Sequence, residues 1–394
     1  IVTPQLLAVP GLNYLSYDYL AETNMSIMAR AQAQNPQAGY ATAFVPTAMA
    51  DNLAAIAARG VKVLSNAGGL NPSACRDALL AVAEKAQLKL KVAVVRGDDI
   101  PGQVDALRGE GWRDLDGRPL PAKLGSANAY LGARAIAAAL DRGADIVITG
   151  RVVDSAFAVA ALVHEYGWRW DDWDKLAQAT LAGHIIECGA QGSGGLFTDW
   201  EQVPDWANIG YPVVECASDG SFVVGKPPGT GGIVTRGTVS EQLVYEIGDP
   251  QAYMLPDVVC DFTGVKIEEV GENRVKVSGA KGFAPTDTFK VSATYMDGWR
   301  AIVQLTIGGI DAVGKARKTA DAIIARTRRM FQMLNMADYR DTLVEVLGAE
   351  AMYGPHSRAL AAREVVLRIA VRHDERVPLE IFCREIAQAD TSMS

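Results

Sequence analysis

The chain has 394 residues, of which 49% are hydrophobic and 21% are charged, a composition typical of globular proteins. Its net charge of −8 argues against a nucleic-acid-binding surface. No stretch approaches the length of a membrane span, and no signal-peptide pattern opens the given sequence, so we expect neither feature. The five cysteines lie far apart, without zinc-ligand spacing or a disulfide framework. We therefore expect a cytoplasmic homo-oligomer that binds a small molecule and has neither a nucleic acid nor a membrane as a partner. Because the chain begins at Ile1 and ends abruptly at Ser394, we also expect it to be part of a longer protein.

Helical and strand patterns alternate in the first half of the chain. The predicted elements are a helix at 49–59, a strand at 61–65, a helix at 72–87, a strand at 90–95, a helix at 126–141, a strand at 145–149 and a helix at 155–166. Asn71 and Pro72 are typical of the N-cap and first position of the second helix. Such alternation predicts a doubly wound, mostly parallel α/β sheet in a Rossmann-like domain over residues 1–210.

From about Tyr211 the pattern changes to short strands separated by glycine-bearing turns. Predicted strands lie at 222–224, 258–262, 265–270, 274–277, 289–295 and 301–307, followed by helices at 311–334 and 337–348. Strands followed by helices predict an α+β second domain over residues 211–355. Alternating runs at 365–371 and 379–386 predict a partial C-terminal unit containing β-structure, over residues 356–394.

The most distinctive segment is the strand at 145–149, which is followed by Gly150, Arg151 and Asp154. Open α/β sheets bind ligands beyond the carboxyl ends of their strands. Arg151 is suited to binding a carboxylate or phosphate, and Asp154 to accepting a proton. The alternative is that Asp154 only caps the next helix and pairs with Arg151.

Glycines follow a second strand, in the segment 66–72. Gly68 and Gly69 would let backbone amides approach an anion or an acyl carbonyl near the N-terminus of the next helix. A purely structural turn is the alternative. A third glycine-rich loop begins at Lys226, which could hold a phosphate of a nucleotide or of coenzyme A, or belong to a surface hairpin.

The segment 183–195 is the densest cluster of polar residues and glycines. On a continuous helix, His184 and Cys188 would share a face as a base and a thiol. Gly183 and Gly189 argue against a regular helix there, so a Cys–His nucleophile is disfavoured. Glu187 is the preferred acid or base of this segment.

Two further carboxylates, Asp18 and Glu22, would lie on one face if they belong to a helix. They could share a proton, bind a metal or only favour the start of the helix through its dipole. Together with Asp154 they could supply oxygen ligands for Mg²⁺, although no motif identifies a metal site.

The sequences of these segments and their order along the chain resemble those of the acyclic terpene utilisation protein A family. The motifs that carry the resemblance lie at 18–22, 66–72, 127–133, 149–154, 183–191, 231–235 and 245–250. The likeness spans at least residues 12–300 and supports the α/β fold. It implies a role in the breakdown of citronellol- and geraniol-like terpenoids as coenzyme A thioesters, without specifying the chemical step.

We therefore expect an enzyme, a lyase of hydratase or dehydratase type that acts on a branched or hydroxylated acyl-CoA or a related carboxylic acid. Arg151 would anchor the substrate, and Asp154 or Glu187 would move the proton α to the carbonyl. Amides of the glycine loop, with two asparagines, would hold the enolate oxygen. The candidate binding residues are Asn66, Gly68, Gly69, Asn128, Gln191 and Lys226.

Two alternatives stay open. One is a non-catalytic subunit that binds acyl-CoA or another metabolite within a multi-protein enzyme. The other is a carbon–carbon lyase, which would need Cys188 or a metal. The sequence identifies no cofactor; a coenzyme A thioester is a candidate substrate and Mg²⁺ a candidate ion.

Overall fold

The computed structural model describes residues 2–393, and the chain divides into two units between Tyr295 and Met296. In chain order, the helices and strands of the first unit are α1 (Val2–Leu7), β1 (Tyr14–Tyr17), α2 (Glu22–Gln34), α3 (Leu53–Arg59), β2 (Lys62–Ser65), α4 (Pro72–Lys85), β3 (Val92–Val94), α5 (Val104–Gly109), β4 (Ser126–Ala129), α6 (Arg134–Asp141), β5 (Ile146–Ile148), α7 (Ala156–Tyr166), α8 (Trp173–Glu187), β6 (Val213–Cys216), β7 (Phe222–Gly225), α9 (Arg236–Val244), β8 (Tyr253–Met254), β9 (Val259–Asp261), β10 (Lys266–Gly271), β11 (Arg274–Ser278), β12 (Lys281–Phe283) and β13 (Val291–Thr294).

A parallel four-stranded sheet in the order β1-β2-β5-β3 organises the first unit. Successive side chains of a strand point to opposite faces of the sheet. Val63, Ile146 and Ile148 accordingly pack into one apolar cluster, whereas Leu64 and Val147 pack into another. The predicted mixed α/β character and the parallel sheet are confirmed, and the doubly wound arrangement stays a prediction.

Antiparallel sheets complete the first unit, in the orders β10-β11-β7-β6, β12-β9-β8 and β13-β4. Their strands include those predicted near 222–224, 258–262, 265–270, 274–277 and 289–295. Phe222, Val224 and Val277 belong to the same apolar cluster as Val147 of β5. Within the first unit, the strands between residues 222 and 280 are therefore packed into one core with the parallel sheet.

The prediction of a single helix at 126–141 is wrong in its first part. Ser126–Ala129 forms β4, which is buried at every position and pairs antiparallel with β13; the helix α6 begins only at Arg134. Small residues such as alanine and serine fit either a helix or a strand. Pairing with β13, far along the chain, therefore decides that this segment is a strand.

The second unit contains β14 (Trp299–Gly308), α10 (Ala312–Met333), β15 (Asp341–Leu347), β16 (Glu364–His373), α11 (Arg376–Glu385) and α12 (Ala389–Ser392). Its three strands form an antiparallel sheet in the order β14-β16-β15. The helix predicted at 337–348 is wrong, because Thr342, Val344 and Val346 occupy alternate positions of β15, which pairs with β16.

The β-structure predicted at 379–386 is also wrong, since this segment lies in α11 and the turn that follows it. Leu379 and Phe382 are buried three residues apart, the spacing of neighbours on one helix face. No helix within residues 2–393 is long and apolar enough to cross a membrane.

Helix α8 runs without interruption through Gly183, contrary to the expectation that this glycine would end regular helix. A Cβ atom at Gly183 would lie 2.8 Å from Cα and 2.9 Å from Cβ of Ser155. Glycine is therefore needed because α8 packs closely against the start of α7.

We expect Gly183→Ala to lower the free energy of unfolding by about 1–3 kcal/mol, because the added methyl group meets backbone atoms that cannot move independently. The matched control is Gly109→Ala in α5, where a Cβ atom would have no neighbour within 4 Å. Urea denaturation of both variants measures the difference. Equal stability of the two variants would contradict the packing argument.

Candidate active site

Three carboxylates from separate segments meet beside the parallel sheet. Asp18 directly follows β1, Asp154 lies in the loop after β5, and Glu187 is the last residue of α8. Their carboxylate oxygens lie within 4.8 Å of one another. We call Asp18, Asp154 and Glu187 the carboxylate trio.

The trio lines a small cavity of about 20 Å³, which has room for a single water molecule or ion. The other residues that line the cavity are Ser16, Phe157, Ala158, Gly183 and Ile186. Three acidic side chains thus border a space suited to one water molecule or one hydroxyl group.

Asn66 holds Asp18 in place. Its Nδ2 donates to Asp18 Oδ1 at 2.6 Å, and its Oδ1 accepts a hydrogen bond from the backbone N–H of Tyr19 at 2.7 Å. The N–H of Leu20 also donates to Asp18 Oδ1, at 3.0 Å. Asn66 follows β2 as Asp18 follows β1, so parallel pairing of these two strands brings the two side chains together.

Arg151 holds Asp154. The Arg151 side chain is only 3% exposed, and its Nη2 donates to Asp154 Oδ1 at 3.1 Å. Its Nη1 donates to the carbonyl oxygen of Leu20, and the guanidinium lies 4.0 Å from the centre of the Tyr130 ring. The pairing of Arg151 with Asp154, which the sequence left as one of two possibilities, is present in the structure.

Glu187 has a sulfur and an imidazole as neighbours. The Cys188 thiol donates to Glu187 Oε1 at 3.0 Å, and His184 Nδ1 lies 3.9 Å from the same oxygen. Burial raises the pKa of the Cys188 thiol and lowers the pKa of His184. A neutral thiol beside a neutral imidazole does not favour a cysteine nucleophile.

The carboxyl groups of the trio are all more weakly acidic than usual. Burial raises the pKa of Asp154 to about 7, with a further contribution from the negative charge of Asp18. Burial likewise raises the pKa of Glu187 to about 7, with smaller contributions from Asp154 and Asp18. The pKa of Asp18 is raised by burial as well. The trio can therefore hold a proton donor and a proton acceptor together near neutral pH.

Glu22 belongs to a different environment. It begins α2, accepts a hydrogen bond from the Tyr130 hydroxyl, and lies 3.2 Å from Lys290 Nζ. The Tyr130 hydroxyl is the main cause that lowers the pKa of Glu22 to about 2. Asp18 lies before this helix, so Asp18 and Glu22 do not share a helix face.

The remaining predicted residues have other partners. The Gly69 N–H donates to the Asn66 carbonyl at 3.1 Å, and Asn128 Nδ2 donates to Asp98 Oδ2 at 2.9 Å. Lys226 Nζ donates to the Thr230 carbonyl at 2.6 Å. Gln191 lies in the helical turn Gly189–Ser193, and Gly68 packs where a Cβ atom would collide with the Thr149 carbonyl. Among the hydrogen bonds of residues 2–393, none joins these five residues to the trio.

Asp18 is the member of the trio that the sequence analysis did not select as catalytic. Its sequence context leaves it as a carboxylate that could share a proton with Glu22, bind a metal or favour the start of a helix. Its position directly after a strand, like that of Asn66, was the available signal. The order of the strands in the sheet was needed to turn that signal into a contact.

The fold and the site define a mixed α/β protein with a carboxylate-lined cavity beside a parallel sheet. The family model for the acyclic terpene utilisation family protein AtuA matches residues 3–394, and the chain belongs to that family. The resemblance noted in the sequence is thereby confirmed. Comparisons with curated proteins and with solved structures gave no match.

We expect Glu187→Gln to increase stability above neutral pH. A carboxyl group whose folded-state pKa is raised from 4.5 to about 7 binds its proton more tightly in the folded state. Its contribution to stability is therefore complete below the unfolded-state pKa and is lost as the pH rises towards 7. The variant lacks this loss, so at pH 8 its free energy of unfolding should exceed that of the wild type by about 3 kcal/mol.

The measurement is the free energy of unfolding of both proteins between about pH 4 and about pH 8. Glu84→Gln, at an exposed position of α4, is the matched control and should follow the wild-type curve. An unchanged pH slope in Glu187→Gln would show that the pKa of Glu187 is not raised.

Proposed function

We propose that this protein is a lyase of hydratase or dehydratase type that acts on a branched or hydroxylated acyl-CoA or a related carboxylic acid. One observation carries the proposal: two carboxyl groups with pKa values of about 7 line a cavity sized for one water molecule. General acid–base catalysis requires groups with such pKa values near the reacting atoms. Membership of the acyclic terpene utilisation family supports the substrate class.

In the dehydration direction, ionised Asp154 removes the proton from the carbon α to the carbonyl. Protonated Glu187 donates its proton to the hydroxyl group on the β carbon, which leaves as water while the double bond forms. Hydration runs through the same steps in reverse, with Glu187 removing a proton from water and Asp154 protonating the α carbon. No external oxidant or reductant is needed.

The residues around the pair act as positioning residues. Arg151 has contacts with Leu20, Tyr130 and Asp154, so it acts through Asp154 rather than as a direct anchor for the substrate. The negative charge of Asp18 contributes to keeping the pKa values of Asp154 and Glu187 high. Asn66 fixes Asp18.

The N–H groups that were expected to bind an enolate oxygen donate to other acceptors in the structure. The side-chain N–H groups of Asn66 and Asn128 bind Asp18 and Asp98, and the Gly69 amide closes its own turn. Gln191 stays a candidate for binding the acyl portion, because its turn begins two residues after Glu187. Lys226 stays a candidate for a coenzyme phosphate.

We expect Asp154→Asn and Glu187→Gln each to lower kcat by at least about 100-fold, because each removes one proton-transfer group. The assay follows conversion of a 3-methyl-branched α,β-unsaturated acyl-CoA and its 3-hydroxy counterpart. Incorporation of deuterium from D₂O at the α carbon reports the Asp154 step separately.

Glu84→Gln serves again as the matched control and should keep wild-type turnover, since Glu84 is exposed on α4. Absence of both conversion and deuterium incorporation in the folded wild-type protein would refute the lyase assignment. Tight binding of the acyl-CoA without conversion would instead support a binding subunit.

We expect a bell-shaped dependence of kcat/KM on pH with its maximum near pH 7. Below the maximum Asp154 gains a proton and no longer acts as a base; above it Glu187 loses the proton that it must donate. Asp18→Asn removes a neighbouring negative charge, so both limbs should move to lower pH. Rates measured from about pH 5 to about pH 9 test this, and a profile that Asp18→Asn leaves in place would contradict the electrostatic role of Asp18.

A further inference from the structure

The strand β3 forms one edge of the parallel sheet and leaves part of its backbone unpaired. The Lys91 carbonyl accepts from the N–H of Ile146, and the N–H of Val95 donates to the Ile148 carbonyl, both of β5. Backbone groups of successive strand residues point to alternate sides, so those of Val92 and Val94 point away from β5. Within residues 2–393, no strand pairs with this outer side.

A groove of about 660 Å³ runs along this edge. Its apolar walls come from β3 and from the small side chains of Ala135 and Ala139 on α6. Small residues on the helix leave space beside the strand. Its volume is far larger than the roughly 20 Å³ of the cavity at the carboxylate trio.

The charged residues that line the groove are all basic. Lys91, Arg96 and Arg142 line it and are exposed, and no aspartate or glutamate is among its lining residues. Arg96 donates to the Ser73 hydroxyl and Arg142 to the Ala138 carbonyl, which are neutral partners. Among the described residues, none of the three cations forms an ion pair. This excess of positive charge contrasts with the net charge of −8 of the whole chain.

We propose that the β3 edge binds an extended acidic segment of a partner protein, which adds a strand to the sheet. The free N–H and C=O groups of Val92 and Val94 would supply strand hydrogen bonds, and the three cations would select acidic side chains. Lysine on an edge strand opposes pairing with an identical edge. The same charges therefore disfavour a second copy of this chain at β3 and favour an acidic partner.

The test uses the full chain and a fluorescein-labelled synthetic peptide of alternating valine and glutamate, with binding followed by fluorescence anisotropy. The valine–glutamate peptide should bind at least about tenfold more tightly than a valine–lysine peptide. Two further peptides carry N-methyl groups on one or the other set of alternate amides. Strand addition predicts that only one of the two methylated peptides loses binding, because only one edge of the peptide faces β3.

Charge reversal provides the complementary test on the protein. The double variant Lys91→Glu, Arg142→Glu should no longer bind the valine–glutamate peptide and should bind the valine–lysine peptide instead. The control Lys123→Glu, at an exposed position outside the groove, should bind both peptides as the wild type does. Equal binding of both methylated peptides would overturn strand addition and leave only charge attraction. A change in the oligomeric state of the double variant without any effect on peptide binding would assign the edge to self-association and also overturn the proposal.

Discussion

The parallel pairing of β1 with β2, and of β2 with β5, is the constraint on which the candidate site depends. Because these strands run in one direction, Asp18, Asn66 and the loop that carries Asp154 follow them at the same edge of the sheet. Glu187 reaches the same point from α8, whose close approach to α7 requires Gly183. The site is therefore assembled from separate segments, and no single segment contains a recognisable catalytic motif.

Burial and electrostatic partners distinguish the carboxylates of the trio from Glu22. Burial and the neighbouring charge of Asp18 raise the pKa of Asp154 to about 7, although its one guanidinium partner, Arg151, lowers it. Glu22 accepts a hydrogen bond from the Tyr130 hydroxyl and lies beside Lys290, and these partners lower its pKa to about 2. Two carboxylates on neighbouring elements thus take opposite pKa shifts because they differ in burial and in partners.

Local signals in the sequence predicted much of the fold. The strand at 145–149 and the cap formed by Asn71 with Pro72 depend on nearby residues, and both are present. The predictions failed at β4, β15 and α11, where pairing or packing with distant parts of the chain decides between helix and strand. These segments have compositions that suit both structures, so local pattern alone could not choose.

The candidate site likewise divides into features that the local sequence predicted and features that depend on distant contacts. Asp154 and Glu187 were selected from their own segments, but their approach to Asp18 depends on strand order and on the packing of α8. The role of Asn66 could not be predicted either, since its amide is oriented by contacts with Asp18 and Tyr19 across a strand pair.

Arg151 connects the two carboxylate environments. Its planar guanidinium lies over the Tyr130 ring while it donates both to Asp154 and to the Leu20 carbonyl. A lysine ammonium could not stack and donate in two fixed directions at once. Tyr130 in turn donates to Glu22, whose negative charge raises the pKa of Asp154, whereas Arg151 lowers it. The pKa of Asp154 near neutrality therefore results from burial and from opposing charges, and a change in any one of them moves it away from the value that the proposed proton transfer requires.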